Sequence, residues 1–78
     1  MPHISVKMLQ GRTEEQKERL SAALQETLIK ELGCSKTHAS VSIEDFTAEQ
    51  WQDVFKSEIT DKPESLRIKP EYDPKSLL

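Results

Sequence analysis

Apolar and polar residues alternate from the third position. Ile4, Val6 and Met8 point one way and His3, Ser5 and Lys7 the other, so residues 3–9 predict a half-buried strand. Gln10-Gly11-Arg12 is the turn that leaves it. Thr13-Glu14-Glu15-Gln16 reads as a capping box, in which Thr13 caps a helix and Gln16 reaches back. Leu20, Ala23, Leu24, Thr27, Leu28 and Leu32 then recur at steps of three and four, predicting one buried stripe on a helix over about 14–32. Glu14 and Glu15 suit the positive end of its dipole. Glu15 with Arg19 and Glu26 with Lys30 have the spacing of i,i+4 ion pairs on the wet side. Gly33 is a natural stop, because glycine takes the left-handed conformation that ends helices.

Cys34 to His38 is a polar connection. Ala39, Val41 and Ile43 alternate with Ser40, Ser42 and Glu44, which predicts a second strand over about 39–46. Two strands joined by a long helix are expected to be parallel, with a right-handed crossover. Thr47-Ala48-Glu49-Gln50 repeats the capping box, and Trp51, Val54, Phe55 and Ile59 follow at helical spacing, predicting a shorter helix over about 48–59. Residues 60–78 form a tail punctuated by Pro63, Pro70 and Pro74. Leu66 and Ile68 alternate with Arg67 and Lys69, compatible with a short strand or one helical turn. Lys75 to Leu78 are expected to fray in an isolated chain, with Leu77 and Leu78 free to dock on a neighbour.

The fold class is therefore α+β. It is a single domain over 1–78, built on a β-α-β unit with parallel strands, one crossover helix, a second short helix and an irregular tail. One long helix covers one face of such a sheet. A second copy against the other face is expected to complete the fold, which points to a dimer or larger assembly.

Composition narrows the function. A chain of 78 residues buries a limited share of its surface, and small folds compensate with disulfides, a metal or assembly. Cys34 is the one cysteine, which excludes an internal disulfide and fits a reducing compartment. Cys34 and His38 alone make no metal site. Basic residues are scattered, aromatic residues are few and the net charge is −3, so the footprint of a nucleic-acid binder is missing. No apolar run has the length of a membrane span and no signal segment opens the chain, so a cytoplasmic location is expected.

The candidate chemistry lies in the first twelve residues. Pro2 follows Met1 directly. Removal of Met1 would convert its nitrogen from a tertiary amide into a secondary amine, a proton acceptor carried on a rigid strand. Free α-amino groups titrate at about 7.7–8.0, close to the operating pH that general-base catalysis favours. Arg12, between Gly11 and a helix start, can hold an anionic substrate.

Pro2, the strand Ile4–Leu9 and the run Leu9-Gln10-Gly11-Arg12-Thr13-Glu14-Glu15-Gln16-Lys17 resemble the 4-oxalocrotonate tautomerase family. Ser40-Val41-Ser42-Ile43-Glu44 is similar to that family's second strand. From Thr47 onward, the tryptophan-bearing helix and Lys69-Pro70-Glu71-Tyr72 look more like its small dimeric bacterial branch of probable tautomerases. The resemblance implies a β-α-β fold assembled into dimers or hexamers, with a dimer favoured over a hexamer. It also implies cofactor-independent proton transfer on an enol or dienol carboxylate, with Pro2 as general base and Arg12 binding the carboxylate. Ser42 is matched to the position of a second family arginine, so the missing charge is expected from water, backbone N–H groups or a cation such as Arg67 or Lys69. Trp51 is the candidate aromatic wall beside Pro2, with Phe55 second. His3, Ser5 and Lys7 read as a wet strand face, and Tyr72 as a residue able to reach a site across an interface. Proline-dependent hydration, dehalogenation or decarboxylation would need a carboxylate to activate water, for which Glu44 is the candidate. The alternative from another class is a non-catalytic oligomeric binding module of the same fold.

Overall fold

The computed structural model describes residues 1–78. β1 (His3–Leu9) and β2 (Ser40–Phe46) form a two-stranded parallel sheet, paired in register from His3 opposite Ser40 to Leu9 opposite Phe46. One hydrogen bond extends the ladder at each end. Ser40 N–H donates to the Pro2 carbonyl at 3.2 Å, and Gln10 N–H donates to the Phe46 carbonyl at 2.9 Å.

Parallel strands need a long crossover, and α1 (Glu14–Leu32) supplies it. Its capping box is complete. The Gln16 N–H donates to Thr13 Oγ1 at 3.1 Å, and the Thr13 N–H donates to Gln16 Oε1 at 2.9 Å. The helix stops at Gly33, whose φ of 67° is the left-handed conformation and whose N–H reaches the Ile29 carbonyl at 2.9 Å. Gly11, with φ 124°, makes the turn out of β1 in a region that side-chain-bearing residues rarely enter.

The side of α1 turned towards the sheet differs from the expected stripe. Lys17, Ser21, Leu24, Gln25 and Leu28 are half-buried, whereas Leu20, Ala23, Thr27 and Leu32 are exposed. Polar ties hold the helix in this rotation. Lys17 makes an ion pair with Asp45 of β2, and Gln25 Nε2 donates to the Ala39 carbonyl at 3.1 Å. One chain thus covers only the inner flank of an amphipathic face, and the outer flank stands open.

α2 (Ala48–Phe55) opens with the second capping box, Thr47 with Gln50, closed at 2.8 and 3.1 Å. It continues without a break into a wider π-helical turn, Lys56–Thr60. Lys7 of β1 ties that turn to the sheet. Its ammonium lies 3.9 Å from Glu58 and 3.6 Å from Glu44, while Lys62 pairs with Glu58 at 3.0 Å. The tail adds no strand. Ser65 and Leu66 return their N–H groups to the Lys62 carbonyl at 3.3 and 3.1 Å. The end of the chain, expected to fray, is instead a 3₁₀ turn, Pro74–Leu77, capped by the Asp73 carboxylate. Gln52 Nε2 fastens it to α2 through the Pro74 carbonyl at 2.9 Å.

Little of this is buried. Ala39, 7% exposed, is the one residue shielded from solvent. A compact monomer of 8.9 kDa exposes about 4,800 Å², but this chain exposes 6141 Å². Its radius of gyration, 14.1 Å, exceeds the roughly 11.5 Å of a compact chain this long. The molecule is a slab 17 Å thick in its shortest dimension.

Two stability predictions follow from these ties. Thr13→Ala leaves the α1 start without its side-chain acceptor and is expected to cost about 1 kcal/mol in urea unfolding; an unchanged midpoint would count against the cap. The hydrogen bond and charge of Lys62, with a smaller contribution from Lys7, hold the Glu58 carboxyl below its ordinary pKa. A depressed acid stabilises fully above its unfolded pKa, about 4.3, and loses that contribution as the pH falls through the folded value. Glu58→Gln should therefore lower the melting temperature at pH 7, and the deficit should shrink steadily as the pH falls below about 4.3. A deficit that does not change with pH would show that packing, not charge, is at work.

Candidate functional site

Pro2 is half-buried and held at the head of β1 by its carbonyl bond to Ser40 N–H. Met1 is 93% exposed and makes no hydrogen bond, so it hangs free of the fold. Beside Pro2, His3 bridges the two strands through its ring. Nδ1 lies 2.7 Å from Ser40 Oγ and Nε2 lies 3.3 Å from Ser42 Oγ. Ser42 is paired with Ser5, one step further from the chain start on the same face, and Ser40 is the residue bonded to Pro2. Alternation assigns both serines to one face, and the register decides which of them lies nearer Pro2.

Arg12 lies at the other end of the sheet. Its Nη1 donates to the Leu9 carbonyl at 3.3 Å, and no carboxylate pairs with it. Seven strand steps separate Pro2 from Leu9, about 23 Å at 3.3 Å per residue. Within one chain these two residues cannot touch the same small molecule.

Trp51 is also at the Arg12 end. Its ring lies 6.4 Å from that of Phe46, the β2 residue opposite Leu9, and its indole N–H donates to the Tyr72 hydroxyl at 2.9 Å. Phe55 packs edge-on against Tyr72 at 5.6 Å. The expected wall residues therefore form an aromatic cluster with the tail, distant from their own chain's Pro2. Glu44, the candidate water-activating carboxylate, is engaged by Lys7.

The structure adds a feature that periodicity does not reveal. An open hollow of about 820 Å³ lies along β1, lined by His3, Ile4 and Ser5 of the strand, by Glu58, and by Lys62, Arg67 and Ile68 of the tail. It borders the residue after Pro2. No helix is long and apolar enough to cross a membrane.

Residues 2–53 match the tautomerase enzyme family. A probable tautomerase from Xylella fastidiosa is 36% identical over 73 residues, covering 92% of this chain and 89% of its own length. The tautomerase PptA of Klebsiella pneumoniae is also 36% identical, with 92% and 97% covered. Among solved structures, TomN, a 4-oxalocrotonate tautomerase homologue in the tomaymycin biosynthetic pathway, superposes with a TM-score of 0.62 at 30% identity, covering 64% of this chain and 77% of TomN. The match runs from Pro2 through both strands and the crossover helix, and the PptA likeness carries it into the tail: the chain belongs to the tautomerase family.

Proposed function

We propose that this protein is a cofactor-independent keto–enol tautomerase for small enol or dienol carboxylates, with Pro2 as its general base once Met1 is removed. The observation that carries this reading is the contrast at the chain start. Pro2 is pinned to β2 through Ser40, while Met1 packs on nothing. Removing Met1 disturbs no contact and leaves a secondary amine held on a strand.

The reaction then needs one group. The neutral amine takes the enol O–H proton, and the oxygen lone pair becomes the carbonyl bond. The displaced C=C electrons take a proton from the resulting ammonium at carbon, which regenerates the amine. An apolar wall or a nearby cation disfavours the ammonium form and keeps the amine available near neutral pH. Each unit of pKa lowering needs about 1.4 kcal/mol of differential interaction.

Arg12 and Trp51 enter this site from a second copy. A two-fold axis that runs the strands of two chains antiparallel brings the Arg12 end of one to the Pro2 end of the other. The roughly 23 Å between the two ends of β1 supports this arrangement. So do the open outer flank of α1, at Leu20, Ala23 and Thr27, and the large exposed area. The surface in excess of a compact monomer, roughly 1,300 Å², is on the scale of one partner's share of an obligate interface. A lone half-buried Cys34 suits a cytoplasmic location.

The intact mass of active protein is expected to lack Met1. Material carrying an uncleaved extra N-terminal residue should not ketonise a test enol, and turnover by such material would sink the base assignment. Pro2→Ala leaves a primary amine in place of the secondary one and should lower kcat about tenfold or more. In solution the chain should run at twice its mass or above, and Leu20→Glu should shift it towards monomer with loss of activity. A fully active monomer would overturn the shared site.

A further inference from the structure

The hollow along β1 is lined by one carboxylate, Glu58, and two cations, Lys62 and Arg67, and only Lys62 is paired with it. Lys62 is paired with Glu58 at 3.0 Å, and Lys7, on the same strand face, lies between Glu44 and Glu58. Arg67 lines the hollow opposite His3, Ile4 and Ser5, with no carboxylate within ion-pair distance and no hydrogen-bond acceptor of its own. The segment that bears it is fastened on both sides. Before Arg67, the Leu66 N–H is bonded to the Lys62 carbonyl at 3.1 Å, and Leu66 itself is half-buried. After it, the Tyr72 hydroxyl accepts the Trp51 indole N–H at 2.9 Å. A guanidinium carried on an anchored segment offers a carboxylate two parallel N–H···O bonds at small ordering cost.

We propose that Arg67 is the specificity residue of the site. It binds a substrate carboxylate in the hollow beside Pro2 of its own chain, so that enol acids are preferred over neutral enols of the same shape. The inference rests on Pro2 being the base, and it leaves Arg12 of the partner subunit to the far end of the substrate. It also gives a place to the charge that the serines of β2 lack: the cation comes from the tail.

The test uses a matched pair, the enol of an aryl-substituted pyruvate and the enol of its methyl ester, assayed on protein whose mass lacks Met1. Arg67→Met should raise KM for the acid about tenfold or more, leave the ester unchanged and so collapse the acid-to-ester preference. Arg67→Lys should restore part of that preference. Equal losses on acid and ester, or no change on either, would overturn the assignment. Calorimetric binding of an unreactive aryl acetate separates this proposal from the assignment of the base. Pro2→Ala should bind it as wild type does, and Arg67→Met should bind it about tenfold more weakly or not at all. Undiminished binding by Arg67→Met would refute the role of Arg67 even if Pro2 is the base.

Discussion

Two strands that run the same way cannot be joined by a tight turn, and most of this molecule follows from that. The parallel ladder from His3–Ser40 to Leu9–Phe46 demands a crossover as long as the sheet, and α1 with its connections fills the requirement. The ladder also decides where chemistry can happen. Both strand starts lie at the Pro2 end and both strand ends at the Arg12 end, so the polar groups that begin β1 and β2 gather around Pro2. The aromatic and guanidinium groups that follow the strands gather at the opposite edge.

The same geometry explains why one chain is incomplete. A two-stranded sheet with one helix across it has too little area to enclose apolar side chains, and Ala39 alone is shielded. What holds the chain in shape is largely polar and local: two capping boxes, Lys17 with Asp45, Gln25 with the Ala39 carbonyl, and Lys7 between Glu44 and Glu58. Such ties orient elements well and stabilise them weakly, because exposed ion pairs and hydrogen bonds exchange readily with water.

Much of the fold was legible because its signals are local. Alternation marks both strands, and each Thr-x-x-Gln box marks the residue where a helix begins. What depends on a neighbour is less legible. The α1 stripe from Leu20 to Leu32 is real as a pattern, but its inner and outer flanks serve different surfaces, and periodicity adds them together. Alternation puts Ser40 and Ser42 on one face, and the pairing that sets Ser40 opposite His3 is fixed by the crossover. Trp51 stands between Phe46 and Tyr72 at the far end of its own sheet, a placement set by the tail and by no local signal. Pro2 and Arg12 stand out for their chemical character, and their separation along β1 follows from the number of strand residues between them.

The hydrogen bond from Trp51 to Tyr72 has a practical side. Trp51 is the one tryptophan in the chain, and its indole is bonded to the segment that carries Arg67 towards β1. Its emission colour is therefore a built-in optical gauge of whether the tail is seated. Release of Tyr72 would hand the indole N–H to water and move the spectrum to the red, with no label attached.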